Sequence, residues 1–337
     1  GLGAMGSGMA KLALQKSGLQ IVAAIDGRPD YVGKDLGEVL GIDRMLDVIV
    51  TDQPETVLDN EKVDVVVIAT TSWTEKQMPD LRKILTAGIN VISIAEEMAV
   101  PEAQSPELAR ELDELAKQHG VSILGTGVNP GYVLDLLVVM LSGGCHNVER
   151  IEASRVNDLS PYGPTVMDTQ GVGTTPEAFH AGIKDGTIVG HVGFPESIRM
   201  ISDALGLGVD RIEQIREPII SKVYRETAHV KVEPGMVAGC AHTGIGYAGD
   251  KEVVRLIHPQ QILPELEDQG TGDYINIYGL PEVHMAITPE YAGGIATQGI
   301  AVNMIPHILA ASPGLKRMLD LPTPAALMGA SAYTRRV

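Results

Sequence analysis

In the first 128 residues the apolar positions fall into short unbroken runs, at residues 19–25, 63–70, 90–95 and 121–124, with stretches of helical period between them. Unbroken runs of this length are the pattern of strands buried on both faces, and the alternation with helices predicts a parallel sheet covered on both sides. Residues 5–16 read as a helix, with Gly18 where a C-terminal cap belongs, and residues 75–87 as another that stops at Gly88. A further helix has Ser105 as N-cap, Pro106 at its first position, Glu107 near the dipole and Gly120 just past its end. With a weaker strand at 46–50 and one strand ahead of Gly1, the pattern predicts six strands in a Rossmann-type, doubly wound α/β sheet. The strand ahead of Gly1 is not in the sequence. The natural chain is therefore expected to carry roughly 5–10 more residues, about one strand length, and the loop at Gly1 to be poorly ordered without them.

From residue 129 the pattern changes. Asn129-Pro130-Gly131 is expected to open a helix running through residue 141, and branched or alternating runs follow at 148–156, 212–223, 230–232, 237–247, 253–258, 274–278 and 283–288. Helical stretches interrupt them at about 176–184 and 195–205, which predicts an α+β second domain with a mostly antiparallel sheet. A late helix, 294–309, is expected to return to the first domain. The predicted division is 1–128 for dinucleotide binding, 129–292 for substrate and oligomerisation, and 293–337 as a returning helix and tail.

Charge narrows the function. The 337 residues carry 43 acidic and 26 basic side chains, a net charge of −17, which disfavours nucleic acid or an anionic membrane as partner. Only Cys145 and Cys240 are present, too few for a disulfide framework or a metal knuckle, so a cytoplasmic location is expected. Cys240, His242 and His258 offer metal-ligand types without a familiar spacing, and no metal is expected.

The first ten residues read G-x-G-x-x-G and then a helix former, with Gly1, Gly3, Ala4, Met5 and Gly6 placed to meet a pyrophosphate at a helix N-terminus. Asp26 ends the next strand twenty residues after Gly6, where a carboxylate reads an adenosine ribose. Arg28 could instead hold a 2′-phosphate, so NAD and NADP both stay open. Thr70 and Thr71 end a strand that points into the cofactor crevice, and Asn303, the one amide in an apolar run, is expected either to meet the nicotinamide carboxamide or to cap an internal contact. Glu96 and Glu97 stand at a strand tip beside the expected nicotinamide, and a shielded glutamate there has a raised pKa suited to a general base. Polar clusters around Arg155, Asn157, Thr169, Gln170 and His191 have the look of binding loops.

The segments GLGAMGSGMA (1–10), NVISIAEEMAVP (90–101), GTGVNPG (125–131), ASRVNDLSPYG (153–163), TQGVGTT (169–175), GTIVGHVGFPES (186–197) and VEPGMVAG (232–239) resemble the 2,4-diaminopentanoate dehydrogenase family. That family is grouped with the native amine dehydrogenases and, more distantly, dihydrodipicolinate reductase. The resemblance spans essentially the whole chain. It implies NAD(P)-dependent oxidative deamination at C4 of 2,4-diaminopentanoate, and a catalytic glutamate matching Glu96, with Glu97 beside it. It further implies a substrate-binding role for residues such as Asn129, a diamino acid or amine as substrate, and a homodimer by analogy. Two rivals remain at this point: a β-hydroxyacid dehydrogenase, whose glycine fingerprint is the same, and a regulator that binds NAD(P) without catalysis.

Overall fold

The computed structural model describes residues 1–60 and 63–329. The chain divides into two compact units, one made of residues 1–132 and 293–337 and the other of residues 133–292.

The first unit opens with α1 (Ala4–Ala13), β1 (Ala24–Ile25), α2 (Leu36–Leu40), β2 (Val50–Thr51) and α3 (Pro54–Asn60). It continues through β3 (Val65–Ile68), α4 (Thr74–Thr86), β4 (Asn90–Ser93), α5 (Pro106–Gln118) and β5 (Ser122–Gly125). All strand pairings here are parallel, as the unbroken apolar runs require: β1 lies beside β2, and β3, β4 and β5 are adjacent in a second ladder. The core of this ladder is formed by side chains such as Met78, Leu81, Leu85, Val91, Leu112 and Ile123. The apolar run at 19–25 yields only two residues of strand. A strand is defined by its neighbours, and β1 has β2 on one side, while an apolar cavity of about 290 Å³ separates it from β3. The loop at Gly1 is nevertheless pinned rather than loose, because the Leu2 N–H donates to Asp26 Oδ2 at 2.5 Å and the Ser7 hydroxyl to the Leu2 carbonyl at 2.7 Å.

The second unit contains α6 (Leu136–Ser142), β6 (Asn147–Asp158), α7 (Pro164–Thr169), α8 (Pro176–Asp185), α9 (Phe194–Leu205), β7 (Arg211–Ile220), β8 (Arg225–Glu226), β9 (Lys231–Val232), β10 (Val237–Ala248), β11 (Lys251–Gln261), β12 (Gly272–Leu280) and β13 (Val283–Ile287). Six of these strands form one sheet in the order β13-β12-β6-β11-β10-β7, antiparallel except for the β6–β11 pair. Buried and half-buried residues alternate along β6 from Ile151 to Asp158, the signature of a sheet with one covered face. The helix expected from Asn129 starts only at Leu136, where the Asp135 carboxylate caps the Leu136 N–H at 2.6 Å. Helix α7 went unforeseen. A buried Arg225 ties the β8 turn to the end of β11, donating to Ser221 Oγ at 2.8 Å and Gln261 Oε1 at 3.0 Å, with Glu267 as its counter-charge.

The chain then re-enters the first unit as α10 (Gly293–Asn303), α11 (Ile305–Ala310) and β14 (Gly314–Lys316), which pairs with β5. One helix was expected over 294–309. Pro306, which lacks an N–H and crowds the carbonyl four residues back, breaks it in two. Helix α10 packs directly on α1, and a Cβ on Gly8 would overlap the Gln298 side chain.

Candidate functional site

Helix α1 begins at an N-cap, Gly3, in extended conformation, and no side chain caps its first turn. Its leading N–H groups and positive dipole end thus form the type of cradle that phosphates occupy. Gly6 is required by space, since a Cβ there would overlap the Gly1 carbonyl oxygen. Thr70 lies close by, its Cγ2 within contact distance of a Cβ placed on Gly1. Ala4 and Met5 form the first turn itself.

Asp26 sits just past β1, buried, with its carboxylate fully engaged. Beyond the Leu2 bond, its Oδ1 accepts from the Arg28 N–H at 2.9 Å and from Arg28 Nε at 3.1 Å. Burial alone would raise this carboxyl, but the hydrogen bonds from the Arg28 side chain and from the Leu2 and Arg28 N–H groups prevail and bring it down to about 2. The Arg28 guanidinium also donates to the Leu2 carbonyl at 2.6 Å and lies 3.7 Å above the Tyr31 ring. Uncapped helix end, glycine contact and ionised carboxylate together fit a dinucleotide.

The two glutamates have parted roles. Strand β4 ends at Ser93, whose hydroxyl donates to Gln77 Oε1 at 2.7 Å, and a 3-10 turn at Glu96–Ala99 follows. Glu97 is buried and its Oε2 accepts the Thr74 N–H at 2.7 Å, so this carboxylate caps α4. Glu96 is half-buried. Burial pushes its carboxyl up, its own N–H and the Ser72 hydroxyl draw it partly back, and the Glu97 charge adds to the rise. Glu96 combines a raised carboxyl with freedom from a helix cap, whereas Glu97 is held by one. Thr71 organises the turn before α4, its hydroxyl accepting from the Trp73 N–H at 3.4 Å. Asn129 is buried at the start of the cis Asn129–Pro130 bond. Asn303 lies on α10, where its side-chain oxygen accepts from the Leu327 N–H at 3.3 Å.

In the second unit the five expected substrate residues and several unexpected ones share one polar interior. Arg155 is buried and its charge is balanced by Asp273, the Nη1–Oδ1 distance being 2.7 Å. It also donates to the Tyr291 carbonyl. Asn157 Oδ1 faces His258 Nε2 at 3.2 Å. The Thr169 carbonyl accepts from the Val189 and Gly190 N–H groups at 3.0 and 3.1 Å, and Gln170 Nε2 donates to the Gly190 carbonyl at 2.9 Å. His191 packs edge-on against Phe194 and His258, with ring centroids 4.8 and 4.7 Å away. Burial, then the charges of Arg155 and Arg216, hold its imidazole down at about 3, so it is neutral.

Asp273, His242 and His258 were not picked out as partners of these residues. The alternation of β10 and β11 puts His242 and His258 on the inward face, and their cross-strand pairing makes them neighbours. That pairing needs the register, which spacing alone does not supply. Among the described residues no group of three or more His, Cys, Asp or Glu side chains is arranged to hold a metal ion, and burial pushes the Cys240 thiol up to about 12. No helix among them is long and apolar enough to cross a membrane.

The chain is similar to known proteins along its length. Residues 132–337 match the family model described as 2,4-diaminopentanoate dehydrogenase C-terminal domain, and residues 1–67 that described as dihydrodipicolinate reductase, N-terminus. The chain is 48% identical over 332 residues to a 2,4-diaminopentanoate dehydrogenase of Acetoanaerobium sticklandii, covering 98% of this chain and 94% of the relative. To an amine dehydrogenase of Streptomyces virginiae it is 30% identical over 335 residues, covering 90% and 89%. Among solved structures, an amine dehydrogenase from Mycobacterium smegmatis superposes with a TM-score of 0.86 at 28% identity, over 96% of this chain and 95% of that one. A probable dehydrogenase from Thermotoga maritima, at 13% identity and a TM-score of 0.56 over 95% and 90% of the two chains, shares the fold.

Proposed function

The chain belongs to the 2,4-diaminopentanoate dehydrogenase family of amine-oxidising enzymes, and from that premise we propose that it deaminates 2,4-diaminopentanoate at C4, with Glu96 as the catalytic acid–base. The products are 2-amino-4-oxopentanoate and ammonia, and the reverse direction is reductive amination of a ketone. The observation that carries the residue assignment is the division between the glutamates: Glu97 holds a helix end, leaving Glu96 to exchange protons.

A bound NAD or NADP supplies the hydride acceptor. Glu96 takes a proton from the C4 ammonium, which frees the nitrogen lone pair to drive hydride departure and leaves an iminium carbon. Water then adds to that carbon, with Glu96 relaying protons from the incoming water to the departing nitrogen, and ammonia leaves as the ketone forms. The net change consumes one water and one oxidised cofactor, and releases ammonium, reduced cofactor and one proton. A carboxyl raised by desolvation is a stronger base than one in water, which suits the first step. Ser72, whose hydroxyl bonds Glu96, orients it. Asn129, Arg155, Asn157, Thr169, Gln170 and His191 are assigned to the substrate. Among them Arg155 and neutral His191 are suited to the amino-acid end.

NAD is the preferred cofactor on this reading. Asp26, ionised down to about pH 2, repels a 2′-phosphate, and Arg28 is already committed to Asp26 and Leu2. Gly1, Gly3, Ala4, Met5, Gly6, Thr70 and Thr71 line the remainder of the nucleotide site, and Asn303 belongs to it through α10.

The enzyme is a homodimer on the same reading. The outer face of the six-stranded sheet carries the cross-strand row Ile215, Thr243, Ile257, Ser154 and Tyr274, all exposed or half-buried. Beside it Arg150 and Arg255 balance Glu152 and Glu252, which makes a neutral patch on an acidic protein. Light scattering on the eluting protein reads its mass.

Absorbance at the nicotinamide band, followed with 2,4-diaminopentanoate, with a hydroxy acid and with an amine-free blank, tests the reaction. Turnover with the diamine alone is expected, and turnover with only the hydroxy acid refutes it.

A further inference from the structure

The backbone around His191 is held by three side chains as well as by the Thr169 carbonyl, which takes the Val189 and Gly190 N–H groups. Residues 189–191 lie between α8 and α9 with no regular structure, and Gly190 is left-handed at φ +70°. An irregular buried segment leaves its peptide groups to find partners elsewhere, and every unpaired one costs about 1–3 kcal/mol. Here the partners come from three separate elements. The Val189 carbonyl accepts from Arg216 Nε of β7 at 2.6 Å, and the Gly190 carbonyl from Gln170 at the end of α7. The His191 N–H donates to His242 Nδ1 of β10 at 3.0 Å.

We infer that His242 is a positioning residue, whose Nδ1 holds the His191 peptide and so sets where the His191 side chain meets the substrate. The inference rests on the assignment of His191 to the substrate. An Nδ1 that accepts a hydrogen bond carries no proton, so the neutral ring has its proton on Nε2. The surroundings fix that state. Burial first, then the Arg216 charge, hold the ring down at about 2, and Phe194 packs edge-on against it at 4.8 Å between centroids. Phe194 touches His191 in the same way, so one phenyl ring spaces the two imidazoles. The fit is close: a Cβ on residue 190 would lie 2.9 Å from His242 Nδ1 and 3.3 Å from Arg216 Nε. The side chain at 242 is therefore required to present an acceptor at one point, two bonds beyond its Cβ. Asparagine has an oxygen at that reach, glutamine has it one bond further, and leucine has none.

The test compares His242→Leu, His242→Asn and His191→Ala, in the full-length enzyme, by kcat and KM for 2,4-diaminopentanoate, by the NADH dissociation constant and by amide hydrogen exchange in residues 186–193. Loss of one buried hydrogen bond corresponds to roughly a tenfold change. His242→Leu is expected to raise KM about tenfold or more and to speed exchange in the segment, with NADH binding unchanged. His242→Asn is expected to restore both to within about threefold of the parent, a rescue that general damage to the sheet does not produce. If the leucine and asparagine variants match in both KM and exchange, the inference is overturned. If exchange separates them but KM does not, the clamp acts on the backbone without setting substrate contact, which also overturns it. His191→Ala isolates the premise: an unchanged KM there removes His191 from the substrate site whatever the clamp does. Should the leucine variant not fold, His242→Gln against His242→Asn makes the same comparison.

Discussion

His191 and His242 make the stability of the second unit sensitive to acid. They titrate at about 3 and about 2 when folded, because of burial first and neighbouring cationic side chains after it. In an unfolded chain an imidazole titrates near 6.5. The unfolded state therefore binds more protons between these limits, so the stabilisation is complete above about pH 6.5 and is lost as the pH falls below it. Between pH 8 and pH 5 each residue withdraws RT ln(1 + 10^1.5), or about 2 kcal/mol, and the two together about 4 kcal/mol. His258, lowered well below its ordinary value by burial, adds with the same sign. Glu96 and Asp273 act oppositely. Burial raises both carboxyls, so the folded state takes up their protons first and acidification through that window favours it. These terms are common to a variant that changes only a histidine. In His242→Asn the loss of stability between pH 8 and pH 5 should shrink by about 2 kcal/mol. Urea unfolding at both pH values and equal ionic strength, followed by circular dichroism, measures this. An equal loss in parent and variant would refute the account of a neutral, buried imidazole.

Glu96→Gln is expected to reduce turnover by a factor of at least about 100, the usual scale for a general base, with the NADH dissociation constant unchanged by fluorescence titration. Glu97→Gln is expected to cost about 1 kcal/mol of stability through the weakened α4 cap, read by thermal melting, while retaining far more activity than Glu96→Gln. Asp273→Asn leaves the buried Arg155 guanidinium without its counter-charge and should cost roughly 3–5 kcal/mol. Arg155→Met combined with Asp273→Leu should recover most of that stability in the same melts, without recovering substrate affinity. Arg28→Ala, which removes a guanidinium already committed to Asp26 and the Leu2 carbonyl, should leave the NADH dissociation constant within about threefold of the parent and NADPH binding still the weaker, both read by fluorescence titration.

Local chemistry made the first unit legible. The glycine turn before α1 and the helix stops at Gly88 and Gly120 act within a few residues of themselves, and Asp26 and the paired glutamates follow apolar strand runs, so spacing along the chain reports where they stand. The elements that were misjudged depend on distant partners. Residues 19–23 carry the apolar run of a strand but lack the ladder that makes one, and β14 is three residues whose only signal is β5 waiting beside them. The polar interior of the second unit was half visible. Arg155, Asn157 and His191 stand out as polar residues among apolar ones. What they touch is set by strand register and by loops crossing between elements, and neither Asp273 nor His242 could be joined to them until the register was known. The contact that sets Glu97 apart from Glu96 has the same origin, since the N–H it accepts belongs to Thr74.

The interrupted first unit also sets an order of events during synthesis. Helix α1 leaves the ribosome ahead of the inserted unit, yet the helix that packs on it, α10, and the strand that pairs with β5, β14, are made only after the whole inserted unit has emerged. For most of translation the Gly8 surface of α1 is bare and β5 is an open edge, a template for unwanted pairing. The inserted unit, contiguous in sequence, has all its own contacts available before that interval ends. A nascent chain stalled or cut before residue 293 thus carries the glycine loop without the helix that backs it.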